Sequence, residues 1–236
     1  MFNRKKPWCI GHRGASAVAP ENTLKSFKMA MQLGADMIEL DVRLSKDRRV
    51  VVIHDAEISR TSNGTGFVRS YTLAELKKFD FGEGEKIPTL EEVLELTKGK
   101  ILVNIEIKEP DMVKEVVKII EEFNAEDQVL VSSFIHPVVL AVKKLNPEIR
   151  TGVLFGCRPI NPIRLAREAQ ADFLHPYHEA IDEAMVKEAH AEGIGILAWT
   201  VDSENSIKRL MRLGVDGIIT NDVETCLNIR KQLFGF

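Results

Sequence analysis

The chain has 236 residues, of which 44% are hydrophobic and 28% charged, and its formal net charge is -3 at pH 7. This composition is ordinary for a globular protein, and α/β barrels of this length commonly form one domain. The small negative charge argues against nucleic-acid binding, because no basic stretch offsets it.

Targeting and disulfide signals are weak in this sequence. The first residues are basic, but neither the apolar core nor the small-residue cleavage site of a signal peptide follows. No apolar run approaches the roughly 20 residues that cross a bilayer. The three cysteines, Cys9, Cys157 and Cys226, are far apart and odd in number, which argues against a disulfide framework and a zinc–thiolate site. The sequence therefore predicts a cytoplasmic protein without a membrane span.

Predicted strands and helices alternate along almost the whole chain. Short continuous apolar runs are typical of strands covered on both faces, as in a parallel sheet. Amphipathic stretches between them predict helices, and Val113, Val116, Val117 and Ile120 follow the spacing of one helical face. The nine predicted strands are residues 8–12, 37–44, 50–54, 101–107, 129–132, 151–155, 172–175, 194–201 and 217–220.

Capping residues mark several helix boundaries. Thr72 and Thr89 each precede a glutamate by three residues, which predicts a capping box at two helix N-termini. Glycine follows four helical stretches, where the left-handed conformation that ends a helix favours it. These glycines are Gly34, Gly99, Gly193 and Gly214.

Nine strands are one too many for an eight-stranded barrel, and a hairpin accounts for the extra one. The polar stretch 45–49 separates two of the runs, so the second can fold back on the first. Pairing of Leu44 with Val50 places Leu40 opposite His54. Eight strands then remain, each followed by a helix, with about 30 residues a unit. The sequence therefore predicts a (β/α)8 TIM barrel of the α/β class, with residues 1–236 forming a single domain.

Residues 55–88 interrupt this alternation. The stretch 60–66 is rich in Ser, Thr, Asn and Gly, which is typical of a loop, and only a short helix follows. A segment of roughly thirty residues without its own strand is long for a barrel loop. We therefore predict a small insertion with a function, placed after the second strand and its hairpin.

Three acidic residues indicate a metal site. Catalytic groups of α/β barrels lie at the carboxyl ends of the strands. Glu39 and Asp41 are two residues apart and share one face of a strand. Close carboxylates repel each other, and a hard divalent cation removes the conflict, with Glu106 completing an oxygen-ligand set. Solvated acids at a strand end are the alternative, which the apolar neighbouring positions make less favourable.

Two histidines and two cations accompany these acids. His12 and His54 each end an apolar run, and a histidine pair can take up and release a proton near neutral pH. Arg13 and Lys108 suit phosphate binding, although ion pairs with the carboxylates are an alternative. Trp199 lies near a strand end, where it either walls a substrate pocket or belongs to the core. This combination suits phosphoryl-ester hydrolysis better than carbonyl chemistry.

These residues resemble the glycerophosphodiester phosphodiesterase family, which is related in fold to the phosphatidylinositol-specific phospholipases C. The resemblance implies that His12 and His54 are the general acid and base. It also implies Glu39, Asp41 and Glu106 as ligands of Mg²⁺ or Ca²⁺, with Arg13 and Lys108 on the phosphate. The matching motifs, in order along nearly the whole chain, are His12-Arg13-Gly14, Pro20-Glu21-Asn22-Thr23, Glu39-x-Asp41, His54-Asp55, Glu106-x-Lys108 and Trp199-Thr200-Val201.

The implied reaction is hydrolysis of a small-molecule glycerophosphodiester to sn-glycerol 3-phosphate and an alcohol. Two alternatives stay open. A phospholipase-type enzyme acting on intact lipids would need an exposed apolar rim, and a catalytically inactive barrel could serve as a phosphoester-binding scaffold. The sequence leaves open which histidine is the acid, whether water or a glycerol hydroxyl attacks, and which head group is preferred. It is compatible with a homo-oligomer.

Overall fold

A computed structural model describes residues 6–235 of the chain. Its strands are β1 Trp8–Gly11, β2 Met37–Leu44, β3 Val50–Val52, β4 Leu102–Ile107, β5 Val129–Ser133, β6 Arg150–Phe155, β7 Phe173–Pro176, β8 Gly195–Ala198 and β9 Gly217–Thr220. Its helices are α1 Leu24–Leu33, α2 Leu73–Leu76, α3 Leu90–Thr97, α4 Val113–Glu122, α5 His136–Leu145, α6 Pro162–Ala169, α7 Glu183–Ala191, α8 Glu204–Leu213 and α9 Val223–Phe234. Short 3-10 helices lie at Val68–Ser70, Pro110–Met112 and His178–Ala180.

Eight of these strands close into a parallel barrel. β1 pairs with both β2 and β9, which joins the two ends of the sheet into a ring. β3 lies outside the ring and pairs antiparallel with β2, with Leu44 opposite Val50. The Ile53 N–H donates to the Asp41 carbonyl at 2.9 Å, which continues this register up to the residue before His54. The predicted TIM barrel and the register of its hairpin are confirmed.

The predicted helix ends are also present. Thr72 and Thr89 both form complete capping boxes, with Glu75 and Glu92 respectively. The four glycines predicted after helices all have positive φ. The seventh barrel strand, β8, is shorter than predicted, because the regular ladder ends at Ala198 and only an isolated bridge joins Trp199 to Tyr177.

Apolar side chains fill the half of the barrel interior that lies toward the amino ends of the strands. One cluster collects inward-facing residues from seven of the eight barrel strands: Trp8, Ile10, Met37, Leu102, Leu130, Phe173, Leu197 and Ile219. Side chains alternate between the faces of a strand, so the next inward position lies two residues further on. On β2 the residue that follows Met37 inward is Glu39, and on β4 the one that follows Leu102 is Asn104. Polar side chains therefore begin where this apolar layer ends, at the carboxyl end of the barrel.

Residues 55–88 fold back and pack against β3 and Ile53, which follows it. Ile58, Val68 and Leu76 are fully buried and cluster with Val51 and Ile53 of the hairpin. The chain then returns to the hairpin, where the Val52 N–H donates to the Pro88 carbonyl at 2.8 Å and Val51 bridges to Thr89. No helix within residues 6–235 is both long and apolar enough to cross a membrane.

Candidate active site

Three carboxylates from neighbouring strands meet at the carboxyl end of the barrel. Glu39 and Asp41 lie on β2, and Glu106 on β4 is the register partner of Asp41. One oxygen from each lies within 4.8 Å of the others, and all three residues are buried. Parallel pairing therefore brings together the three predicted metal ligands.

The loop after β1 directs a main-chain N–H group toward this carboxylate cluster. Arg13, Gly14 and Asn22 all have positive φ. A Cβ on Gly14 would collide with Ser26 of α1, so the loop packs this closely only with glycine. Ser26 Oγ donates to the Arg13 carbonyl at 2.9 Å. The Arg13 N–H then points at the cluster and donates to Glu39 Oε2 at 2.9 Å.

Both predicted phosphate-binding cations pair with the carboxylates. Arg13 Nε lies 3.4 Å from Asp41 Oδ2. Lys108 Nζ lies 2.9 Å from Asp41 Oδ1 and 2.5 Å from Glu106 Oε1. Burial lowers the pKa of Lys108, but Asp41 and Glu106 outweigh burial and raise that pKa. Without substrate, Arg13 and Lys108 therefore form ion pairs with the carboxylates, which is the alternative to phosphate binding that the sequence left open.

The charge balance of the cluster fits a divalent cation. Burial, followed by the charge of Asp41, raises the pKa of Glu39 well above its usual value, and raises the pKa of Glu106 to about 7. Burial also acts to raise the pKa of Asp41, but Lys108 and Arg13 outweigh it and lower that pKa to about 2. For Glu39 and Glu106, the nearby positive charge does not offset burial and repulsion. Oxygen-ligated Mg²⁺ or Ca²⁺ would supply the missing charge.

Because positive charge does not offset the buried carboxylates, we expect the stability of the metal-free protein to depend on pH. Folding raises the pKa of Glu106 from 4.5 to about 7, so the folded state holds this proton more tightly than the unfolded chain does. The resulting stabilisation, on the order of 3 kcal/mol, is complete below the unfolded pKa and is lost as the pH rises through the folded pKa. We expect Glu106→Gln to remove this part of the pH dependence.

Urea denaturation of both proteins in a chelator, below and above this pH window, measures the effect. Saturating Mg²⁺ or Ca²⁺ is the control, because a bound cation favours the ionised carboxylate. An identical pH dependence in the two metal-free proteins would contradict the assignment of the raised pKa to Glu106.

The two histidines hold different partners. His12 Nδ1 lies 2.8 Å from Asn221 Oδ1, and Asn221 Nδ2 donates to Asp202 at 2.6 Å, which fixes the amide orientation. Since the amide oxygen only accepts, His12 carries its proton on Nδ1, and its free Nε2 lies 4.0 Å from Glu39. His54 Nδ1 lies 2.6 Å from the Asp55 carboxylate. Burial is the largest influence on both imidazoles and lowers the pKa of each.

A cavity of about 100 Å³ connects these groups. The residues that line it include His12, Arg13, Glu39, His54, Asn104, Glu106, Lys108, Ser132, Phe134, Leu154 and Trp199. The Trp199 indole N–H donates to the His175 carbonyl at 2.7 Å, and its ring packs edge-on against Phe134. Trp199 is thus a cavity residue that is also partly packed, which combines the two interpretations of the sequence.

Several residues contact the site although the sequence assigned them no role in it. Buried Asn22 donates from Nδ2 to Asp41 Oδ2 at 2.8 Å. Asn104 Oδ1 and Ser132 Oγ are buried on the cavity wall without a protein hydrogen-bond partner. The inward alternation of β4 and β5 could have identified Asn104 and Ser132. No sequence pattern predicts the contact of Asn221 with His12, because tertiary packing joins them.

Two further polar residues, His175 and Asp222, belong to the framework of the barrel rather than to the cavity. His175 is completely buried inside the barrel. Asp222 caps α9 by accepting from the Thr225 N–H at 3.0 Å. Neither of them lines the cavity described above.

Known proteins share this fold and much of this sequence. Residues 12–225 match the family described as the Glycerophosphoryl diester phosphodiesterase family. A Glycerophosphodiester phosphodiesterase of Caldanaerobacter subterraneus subsp. tengcongensis is 46% identical over 96% of this chain and 99% of its own. An Oleispira antarctica phosphodiesterase, solved in complex with the product sn-glycerol-3-phosphate, is 31% identical with a TM-score of 0.90 over 95% of this chain and 96% of its own. A putative glycerophosphoryl diester phosphodiesterase of Silicibacter pomeroyi DSS-3, 24% identical, shares the fold with a TM-score of 0.92 over 98% of this chain and 95% of its own.

Proposed function

The chain belongs to the glycerophosphoryl diester phosphodiesterase family, and we propose that it hydrolyses glycerophosphodiesters to sn-glycerol 3-phosphate and an alcohol with the help of a divalent metal. One observation carries this proposal: two imidazoles, two cationic side chains and two carboxylates of the three-carboxylate cluster line one small cavity at the carboxyl end of a barrel. The Oleispira antarctica relative, which binds sn-glycerol-3-phosphate, supports the same product. No residue of this set is missing, which disfavours an inactive scaffold.

The metal would be held by Glu39, Asp41 and Glu106. When bound, Mg²⁺ or Ca²⁺ would polarise the phosphoryl group and offset the negative charge that develops on it. Lys108 lies on two of the same carboxylates, so a cation at the cluster would compete with its ammonium group. Lys108 released from this pair, together with Arg13, would bind the phosphate oxygens.

The two imidazoles would move the protons of the reaction. A neutral imidazole with a free Nε2 can accept a proton from the attacking hydroxyl, and the Asn221 carbonyl leaves His12 in this form. At His54 burial lowers the pKa, and the Asp55 carboxylate acts against burial and favours the protonated imidazole. We therefore assign the base to His12 and the acid that protonates the leaving alkoxide to His54.

The remaining features complete the proposed enzyme. Trp199 and Phe134 would wall the space for the glycerol or the leaving alcohol, because both line the cavity. Residues 1–236 would act as one domain, in which the insertion 55–88 forms part of the rim. A phospholipase that acts on intact lipid stays the alternative, and turnover of phospholipid vesicles distinguishes it.

Product analysis tests the proposal. Purified protein is incubated with glycerophosphocholine, glycerophosphoethanolamine and glycerophosphoglycerol, and with vesicles of the intact phospholipids. We expect sn-glycerol 3-phosphate to be released from the deacylated diesters and little turnover of the vesicles. Release of glycerol with a phosphorylated alcohol would show cleavage of the other ester bond. Turnover of the vesicles alone would favour the phospholipase alternative.

A further inference from the structure

Arg60, in the insertion, makes two bidentate ion pairs at the rim of the cavity. Its Nη1 and Nη2 donate to the two carboxylate oxygens of Glu21, each at 2.8 Å. Its Nε donates to Asp55 Oδ2 at 2.6 Å, and Nη2 also reaches Asp55 Oδ1 at 3.2 Å. One guanidinium group therefore holds two carboxylates that come from different loops.

Each carboxylate continues to a residue of the proposed catalytic set. Glu21 Oε1 accepts from Arg13 Nη1 at 2.7 Å. Asp55 Oδ1 lies 2.6 Å from His54 Nδ1. The result is a continuous hydrogen-bonded series Arg13–Glu21–Arg60–Asp55–His54, here called the rim chain. It joins the loop after β1 to the end of the hairpin through a single residue of the insertion.

Surface ion pairs usually contribute little, and the Arg60 side chain is 47% exposed. The rim chain differs from an ordinary surface pair in its geometry. Both carboxylates meet the rigid fork of one guanidinium group, which fixes direction as well as distance. Glu21 and Asp55 share that group and are therefore close together. Without Arg60 their like charges would repel each other, and both would be free to leave their partners.

We propose that Arg60 is a positioning residue, which holds the Arg13 guanidinium group and the His54 imidazole in a fixed relation through Glu21 and Asp55. The inference rests on the proposed function of Arg13 and His54. The Glu21 branch orients the group that binds the phosphate. The Asp55 branch orients the imidazole that transfers the proton. The insertion thus completes the site by supplying the link between these two groups.

The experiment compares kcat and KM of Arg60→Ala with those of the parent on one glycerophosphodiester. We expect kcat to fall about 10- to 100-fold, the scale on which the supporting partners of catalytic ligands act, and KM to rise several-fold. Arg60→Lys keeps the charge but loses the fork, so we expect an intermediate loss. Added guanidinium ion should partly restore Arg60→Ala and leave the parent unchanged.

Arg49→Ala is the matched control. Arg49 has a similar side-chain exposure, 49%, and a similar ion pair, with Glu91 at 2.8 Å, but it lies at the opposite end of β3 from His54. We expect its kinetics to equal those of the parent. A general loss of surface ion pairs would affect both variants alike.

Single-branch variants separate positioning from stability. Glu21→Gln should act mainly on KM and Asp55→Asn mainly on kcat. Arg60→Ala should then cost less kcat in the Asp55→Asn background than in the parent, because both changes break the same branch. Thermal denaturation gives the folded fraction of each variant, by which the rates are corrected.

The outcomes separate the two proposals. A parent that releases no sn-glycerol 3-phosphate would contradict the proposed function itself. An active parent with unchanged kinetics in Arg60→Ala would overturn only the role of Arg60. That role would equally be overturned if unfolding explained the whole loss in Arg60→Ala, with no change of KM and no rescue by guanidinium.

Discussion

His12→Ala and His54→Ala are each expected to lower kcat by at least about 10²-fold, the usual scale for removal of a positioned acid or base. Both variants should stay folded, because residues at the carboxyl end of a barrel contribute to chemistry more than to stability. The double variant should lose little more than the worse single variant, because in the proposed mechanism the two groups act in one transition state. Steady-state kinetics with a natural diester, together with circular dichroism, measures both effects.

The leaving group separates the two roles. A p-nitrophenolate leaving group needs little protonation, so we expect a p-nitrophenyl diester to restore much of the activity of His54→Ala but not of His12→Ala. Asn221→Ala provides a further comparison, because it removes the hydrogen-bond partner of His12 while the His12 imidazole itself stays in place. The opposite pattern of rescue would reverse the assignment of acid and base. Near-native turnover of a natural diester by either single variant would show that the imidazole pair does not carry the protons.

Removal of divalent metal should abolish activity, and Mg²⁺ or Ca²⁺ should restore it. The reason is the buried cluster of Glu39, Asp41 and Glu106, in which burial and mutual repulsion raise the pKa of two carboxyl groups. The same binding should raise the melting temperature, because a ligand that binds only the folded state stabilises it. Dialysis against a chelator, followed by activity and thermal-shift titrations, measures both.

Variants distinguish binding at the cluster from a general effect of ions. Glu39→Gln should lose both the activation and the thermal shift. Glu91→Gln, which alters a carboxylate paired with Arg49 outside the cavity, should keep both. Full turnover by protein that elemental analysis finds free of metal would refute the metal assignment. A thermal shift that persists in Glu39→Gln would place the ion elsewhere.

The fold could be predicted because burial on both faces leaves a simple pattern. β4 is a short apolar run interrupted only where the cavity begins, and each barrel strand is followed by an amphipathic helix. The position of β3 followed from the polar turn at 45–49, which separates two runs of the same kind. Strand ends were less accurate. The ladder of β8 ends before Trp199, and hydropathy does not detect that end because the apolar run continues past it.

Which residues of the proposed site lie together could also be predicted in part. Alternation along β2 and parallel pairing with β4 were enough to bring Glu39, Asp41 and Glu106 together. The contacts of Arg60 and Asn221 could not be predicted, because they join loops that are distant in sequence and depend on how each loop packs. Lys108 likewise fitted both phosphate binding and ion pairing, and only the structure shows that it contacts Asp41 and Glu106 without substrate.

The return of the chain to β3 after the insertion has a consequence for self-association. Closure of the ring leaves the eight barrel strands without a free edge, whereas a hairpin strand outside a ring offers unpaired main-chain groups to other molecules. Here the Val52 N–H is taken by the Pro88 carbonyl and Val51 is bridged to Thr89. The segment that carries Arg60 to the rim therefore ends by covering this edge. Loss of its docking would expose a template for strand addition and aggregation beside the end of the barrel that carries the cavity.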